Sequence, residues 1–209
     1  MKPARILLAD DHPMTLEGIR AFLEPHFLSV GTVTDGRALV EAALSLKPDL
    51  IVLDITMPLL NGIEAATRIH KNLPRTKLLF VTMHSDPAYL EAALTAGATG
   101  YVLKSAARSE LLDACAAVLK GQIYVSPGLS TEPLARFKDP LKATAARHLS
   151  PREREVLQLV AEGKATRAMA AILNISVKTV AFHRENIKRK LGLKSTAELT
   201  RYAMEHGIV

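Results

Sequence analysis

The sequence predicts two domains of different class: an α/β doubly wound unit on a five-stranded parallel sheet, then a small all-α unit. Three observations carry this. Apolar runs of strand length alternate with segments of helical period over residues 1–123. Pro127, Gly128, Pro133 and Pro140 then break any period across residues 124–147, which read as a linker. Residues 148–209 carry capping signals and apolar stripes at helical spacing only.

The expected strands are Arg5–Ala9, Ser29–Val33, Leu50–Leu53, Leu78–Val81 and Gly100–Leu103, continuous apolar runs suited to burial on both faces. Between them, helical stripes are set by Leu16, Ile19 and Leu23, by Leu39, Ala43 and Leu46, by Ile63, Ala66 and Ile69, by Leu90, Ala93 and Leu94, and by Leu111, Cys115 and Val118. Pro13, Asn61–Gly62 and Asp86–Pro87 punctuate helix starts. Strands alternating with helices give a parallel sheet with right-handed crossovers, and therefore helices on both faces. A short helix is expected in the linker near Leu141–Arg147. Beyond it, Ser150-Pro151-Arg152-Glu153 forms a capping box with proline at the first helical position, and Gly163 ends that helix. A second helix is expected over Arg167–Leu173, a turn at Asn174-Ile175-Ser176, and a third helix capped by Ser176 and running to Leu191. Ser195-Thr196-Ala197-Glu198 opens a fourth.

Composition narrows the function. With 48% hydrophobic residues the chain has a core to bury and is not intrinsically disordered. No stretch reaches the roughly 18 uninterrupted apolar residues of a membrane span, and MKPARILLAD meets an acidic residue too early for a secretory leader. The single cysteine, Cys115, shares helical spacing with Leu111 and Val118; it is expected to be packing in a reducing, cytoplasmic compartment. Charge is unevenly divided. Residues 1–125 hold 12 basic and 13 acidic side chains, a net of −1, whereas residues 126–209 hold 15 and 8, a net of +7. Only the second part is built to meet a polyanion.

In an open parallel sheet, ligands bind beyond the carboxyl ends of the strands. Five groups fall there: Asp10 and Asp11 after the first strand, Asp54 after the third, Thr82 at the end of the fourth and Lys104 after the fifth. Any one alone reads as a turn residue or a solvated charge; their convergence makes a site. Crowded carboxylates stay ionised only around a cation, and oxygen ligands with room for water suit Mg²⁺. A phosphoryl group on one carboxylate would find its charge neutralised by the metal and Lys104, and its oxygens met by the Thr82 hydroxyl. His12 and His84 lie near this crevice and are read as polar loop residues without a metal role.

Residues 4–121 resemble the receiver domain of two-component response regulators. Asp10-Asp11, Asp54-Ile55-Thr56-Met57-Pro58 with Asn61-Gly62, then Thr82, and Gly97-Ala98 leading to Tyr101 and Lys104 carry the likeness. The resemblance implies a flavodoxin-like fold, phosphorylation of Asp54 by a sensor histidine kinase or a small acyl phosphate, and Mg²⁺ held by Asp10, Asp11, Asp54 and the backbone carbonyl of Thr56. It also implies phosphoryl contacts from Thr82 and Lys104, and a switch in Tyr101. Ser105 stands where many receivers have proline, so a cis peptide there is not implied; Met83 is bulkier than usual after the threonine, and Asn61 replaces a common Asp.

In the basic part, a helical projection of Val177–Leu191 at 100° per residue places Val177, Val180, Ile187 and Leu191 inward. Lys178, Phe182, Glu185 and Arg189 point outward, with Thr179, Ala181 and Lys188 at the flanks. The second helix of a helix-turn-helix lies in the major groove of double-stranded DNA, so Lys178, Thr179, Lys188 and Arg189 offer phosphate and base contacts and Phe182 meets thymine methyls. A merely solvated charged face is the alternative. Residues 149–205 resemble the LuxR-type output domain through Leu149-Ser150-Pro151-Arg152-Glu153-Arg154-Glu155-Val156-Leu157, Ile172-Leu173-Asn174-Ile175-Ser176, Thr179-Val180 with His183, Asn186-Ile187 and Lys190-Leu191. Ala181 stands where the family commonly has Lys or another polar residue, Glu185 puts a negative charge toward the groove, and Arg167-Ala168-Met169-Ala170 lacks the usual acidic residue.

The whole chain is thus similar to NarL/FixJ-type regulators. The resemblance implies a transcription factor, not an enzyme beyond slow self-catalysed phosphorylation and dephosphorylation. It dimerises on activation and binds palindromic or repeated half-sites, with RNA polymerase a further candidate partner. Two rivals stay open on sequence: a haloacid-dehalogenase-type phosphohydrolase, which wants a second Asp where Thr56 stands, and a regulator driven by partner binding with the acidic crevice unused.

Overall fold

The structure, a computed structural model, describes residues 3–106, 108–129 and 149–209, which fall into two compact units. The helix expected near Leu141–Arg147 and most of the expected linker lie outside the described residues.

The first unit alternates β1 (Arg5–Ala9), α1 (Pro13–Leu23), β2 (Leu28–Val33), α2 (Gly36–Leu46), β3 (Leu50–Leu53), α3 (Gly62–Asn72), β4 (Lys77–Thr82), α4 (Pro87–Thr95), β5 (Gly100–Leu103), α5 (Arg108–Leu119) and β6 (Tyr124–Val125). All strand pairs are parallel, in the order β2-β1-β3-β4-β5-β6. The expected five-strand sheet is therefore present with a sixth, two-residue strand added. Tyr124 and Val125 pair with Gly100 and Tyr101, and Ser126 anchors them by accepting from Leu103 N at 3.0 Å and donating to Glu110. These residues close the open edge of β5 and belong to the sheet rather than to the linker assigned to residues 124–147.

Strand residues alternate between two buried faces. Ile6, Leu8, Leu50, Val52, Leu79, Val81 and Val102 pack against Leu16 and Leu23 of α1 and Leu111, Cys115 and Val118 of α5. Their neighbours Leu7, Ile51, Leu78, Phe80 and Tyr101 turn to the opposite face and are equally buried. Each such side chain contributes roughly 1.5–3 kcal/mol by leaving water. The Cys115 thiol is fully buried, and burial pushes its pKa up to about 12.

The second unit holds α6 (Pro151–Ala161), α7 (Thr166–Leu173), α8 (Val177–Leu191) and α9 (Thr196–Glu205) around one core of Val156, Leu157, Val160, Met169, Leu173, Val180, Ile187, Leu199 and Ala203. Its helix ends are satisfied as the sequence predicts. Ser150 and Glu153 form a reciprocal capping box on α6, Ser195 and Glu198 another on α9, and Ser176 Oγ accepts from Thr179 N on α8 at 3.0 Å. Gly163, at φ 73°, ends α6 in the left-handed region that glycine enters without strain. Asn174, at φ 51°, turns the chain between α7 and α8. Glu153 also takes a 2.7 Å ion pair from Lys190, tying α6 to α8; although burial opposes it, Lys190 and the Ser150 bonds hold the Glu153 carboxyl below its ordinary value. Val177, expected on the inner stripe, is instead 46% exposed. It precedes the first core position, Val180, by nearly a full turn.

The capping box yields a local prediction. Ser150→Ala removes the acceptor for Glu153 N and is expected to cost about 1 kcal/mol. Amides in the first turn of α6 should exchange with deuterium about fivefold faster, with those of α9 unchanged as the internal reference.

Candidate functional site

The order β2-β1-β3-β4-β5 reverses direction between β1 and β3, and the crevice of such a sheet opens above that point. Asp10 follows β1 and Asp54 follows β3, so the pairing of Ala9 with Leu53 brings their carboxylates together by register. Backbone bonds hold both: Asp10 N donates to Val33 O at 3.2 Å and Asp54 N to Ala9 O at 2.9 Å. Lys104 arrives from β5, its own amide donating to Thr82 O at 2.8 Å.

The three side chains form one buried bridge. Lys104 Nζ lies 2.6 Å from Asp10 Oδ2 and 2.6 Å from Asp54 Oδ2, with only 3% and 5% of the two aspartate side chains exposed. Burial alone would lower the Lys104 pKa, but the hydrogen bonds and charges of both aspartates outweigh it and hold the ammonium above its ordinary value. The other Asp54 oxygen, Oδ1, accepts from Ile55 N at 2.6 Å. Asp10 Oδ1 accepts from His12 N at 2.9 Å.

Gly62 makes the loop after Asp54 fit. Its amide donates to Ile55 O at 2.7 Å, and a Cβ there would stand 2.0 Å from the carbonyl oxygen of Asp54. Any other residue at position 62 must displace the backbone that carries the carboxylate.

Asp10, Asp11, His12 and Asp54 offer ligand atoms that all lie within 4.8 Å of one another, a spacing that one metal ion can bridge. Asp11 Oδ1 is buried, with His12 Nδ1 2.8 Å away. A carboxylate beside two further carboxylates fits a hard cation taking oxygen ligands. His12, read from its spacing as a polar loop residue, lies within this cluster, its Nδ1 also 3.3 Å from Asp10 Oδ1.

Thr82 is wholly buried, and its Oγ1 accepts a long 3.4 Å bond from His84 N. Tyr101 is 1% exposed, its ring turned inward and its hydroxyl donating to His84 O at 2.8 Å; burial raises its pKa. His84 therefore joins several site elements, since its Nε2 lies 3.0 Å from Thr56 Oγ1 and its ring stacks on Tyr89 with centroids 4.1 Å apart. Burial lowers the His84 pKa and nearby Lys104 adds to this, while Asp54 opposes it. Nothing in residue spacing signals these contacts, because loop conformation makes them. Met83 is 72% exposed, so its bulk lies largely in solvent. Among the described residues there is no cis peptide bond.

In the second unit, Lys178, Ala181, Phe182, Glu185 and Arg189 are exposed along one side of α8, which places Ala181 on the outward face itself rather than at its flank. Thr179 and Lys188 are half-buried; Thr179 Oγ1 bonds Ser176 Oγ at 2.7 Å, and Lys188 Nζ stands 3.8 Å from Glu185. Arg184, which no motif marked, is fastened to Thr166 at 3.3 Å and Thr196 at 3.0 Å, linking α8 to the starts of α7 and α9.

This architecture, an acidic crevice on a doubly wound sheet and a basic helix-turn-helix unit, recurs in known proteins. The family described as "Response regulator receiver domain" matches residues 6–116, and that described as "Bacterial regulatory proteins, luxR family" matches residues 147–203. The chain is 36% identical to the transcriptional regulatory protein MctR of Rhizobium johnstonii over 211 residues, covering 98% of this chain and 95% of that one. It is 37% identical to the oxygen regulatory protein NreC of Staphylococcus aureus over 215 residues, covering 96% and 97%. The RcsB response regulator of Salmonella typhimurium aligns with a TM-score of 0.67 and 32% identity over 99% of both chains. RcsB bound to a promoter in the presence of the phosphomimetic BeF3− aligns with a TM-score of 0.64 and 32% identity, over 96% of this chain and 98% of that one. The chain belongs to the NarL/FixJ-type family of two-component response regulators, which join a receiver domain to a LuxR-type DNA-binding domain. It is a DNA-binding transcription regulator. Among the described residues no helix is long and apolar enough to cross a membrane.

The bridge carries a prediction. Lys104→Met leaves two buried carboxylates facing each other without their cation and is expected to cost about 3 kcal/mol. Thermal melting should show the loss, and added MgCl2 should recover more stability in the variant than in the wild type. Equal melting of the two proteins would show that the bridge contributes nothing.

Proposed function

We propose that Asp54 accepts a phosphoryl group and that this modification gates dimerisation and the binding of α8 to operator DNA. The observation that carries the reading is the Lys104 bridge: one ammonium set between the Asp10 and Asp54 carboxylates at the mouth of the sheet.

The chemistry follows from the charges. Asp54, 2.6 Å from the Lys104 ammonium, presents its carboxylate as the nucleophile. One of its oxygens forms a bond to phosphorus, and the bond from phosphorus to the donor breaks, to the imidazole nitrogen of a sensor kinase histidine or to the acetate oxygen of acetyl phosphate. Lys104 then follows the new charge onto the phosphoryl oxygens, and Thr82 Oγ, at the end of the neighbouring strand, supplies a hydroxyl to another. Asp10 and Asp11, with Asp54 and the backbone carbonyl of Thr56, would hold Mg²⁺. When bound, that ion supplies charge neutralisation for the phosphoryl transfer. Slow hydrolysis of the aspartyl phosphate returns the site to rest, so the protein is a regulator with only self-directed catalysis.

Gating runs through Tyr101. Its hydroxyl donates to the His84 carbonyl and His84 N donates to Thr82 Oγ1, a connected path from the crevice to the α4–β5 side. A Thr82 drawn to a phosphoryl group shifts this path, and the altered face promotes a homodimer. Two LuxR-type units then meet half-sites about one helical turn apart. RcsB structures with DNA, with BeF3− and as paired dimers support this order of events. Lys178 and Arg189, with Lys188 and Thr179 beside them, take phosphate and base-edge contacts, while Ala181, Phe182 and Glu185 face the groove floor. A regulator that meets chromosomal DNA and keeps one buried thiol fits a cytoplasmic setting.

Acetyl phosphate with Mg²⁺ is expected to add one phosphoryl group on Asp54, read by mass spectrometry after borohydride trapping, and to raise dimer content and DNA affinity. Asp54→Asn should show neither response; label at another residue would overturn the assignment. Lys178→Ala and Arg189→Ala are expected to weaken binding nearly uniformly across sequences, and each to lower the salt slope by about 1. Titrations at several salt concentrations measure this.

A further inference from the structure

The outward stripe of α8 carries a feature that phosphate binding does not need. Phe182 is 62% exposed in the middle of a basic helix, and the Glu185 side chain, three residues on, is 78% exposed. Among the described residues its one ion pair is with Lys188, at 3.8 Å and in solvent, and Arg189 is turned to Asn186 Oδ1 at 2.8 Å. An exposed carboxylate on a surface that meets phosphates is repelled by them. A donor on the DNA that receives it offsets that repulsion. In the major groove, guanine O6 and N7 and thymine O4 are acceptors and repel it; the donors are cytosine N4 and adenine N6. Adenine sets N7, an acceptor, beside its donor. Cytosine sets only its C5 edge there, which is apolar.

Phe182 decides the neighbouring position. Phe182 and Glu185, three residues apart, share one face about 4.5 Å apart along the helix axis, close to the roughly 3.4 Å step between base pairs, so in the major groove they would meet neighbouring bases. A ring edge without donors gains most from the C5-methyl of thymine. Ala181, also exposed and one turn before Glu185, adds only a methyl group and leaves the carboxylate free to reach the base.

We infer that Phe182 and Glu185 together form a pyrimidine reader that selects adjacent thymine and cytosine in each half-site. This rests on the placement of α8 in the major groove proposed above. It makes Glu185 a specificity residue: its charge lowers affinity for most sequences while rejecting purines and thymine at one position.

The test uses the full chain, treated with acetyl phosphate and Mg²⁺, and a library of random-sequence DNA duplexes. The wild type is expected to enrich a half-site with cytosine at one position and thymine beside it. Glu185→Gln, which matches the N6 and N7 of adenine, should move the preference at the first position from cytosine to adenine by about tenfold. Replacing the neighbouring thymine by uracil, which deletes only the methyl group, should weaken wild-type binding about threefold and leave Phe182→Ala unaffected. A Glu185→Gln protein that selects the same sequence as the wild type overturns the inference while the groove placement stands. Failure of the wild type to enrich any sequence overturns both.

Discussion

One ammonium group holds the receiver together at its working end. Asp10 and Asp54 are brought side by side by the β1–β3 pairing, and two carboxylates buried that deeply repel each other strongly. Lys104, delivered by the fifth strand, resolves the conflict with a contact to each. The sheet order, the glycine behind Asp54 and the backbone bond from Lys104 to Thr82 all serve that meeting. Three aspartates against one lysine still leave an excess of negative charge, and Asp10, Asp11 and Asp54 lie close enough together for one metal ion to bridge them. A phosphoryl group changes this balance more than any neutral ligand would, which is why such a crevice can serve as a switch.

The second unit solves a different problem, that of presenting a highly basic helix without losing it to fraying. Ser176 caps α8 at its start, Arg184 is fastened to residues at the starts of α7 and α9, and Lys190 is bonded to Glu153 of α6. Part of the positive charge thus holds the helix in place, and the remainder faces outward. The division of charge between the two parts of the chain follows the division of labour: a nearly neutral sensor and a cationic reader.

Most of this was legible in the sequence because the relevant physics is local. Strands buried on both faces read as unbroken apolar runs, and carboxylates at their ends fall into one crevice once the sheet is parallel. Capping boxes at Ser150 and Ser195 are written in four consecutive residues each. The misses share a cause. Tyr124 and Val125 form a strand only because β5 leaves an edge beside them, and two residues carry no period. Val177 lies on the predicted stripe, but a projection does not say where neighbouring helices stop covering it. His84 touches Thr56, Tyr89 and Tyr101 through a loop whose path no pattern encodes.

Cys115, on the buried face of the fifth helix, has a further practical meaning. With its thiol pushed to about 12, almost no thiolate exists at neutral pH, and alkylating or disulfide-forming reagents find no nucleophile there. Burial of Cys115 therefore slows its reaction with maleimides in the folded protein. A single cysteine placed on the outer surface of either unit would carry a spectroscopic probe alone, with no need to remove the natural one.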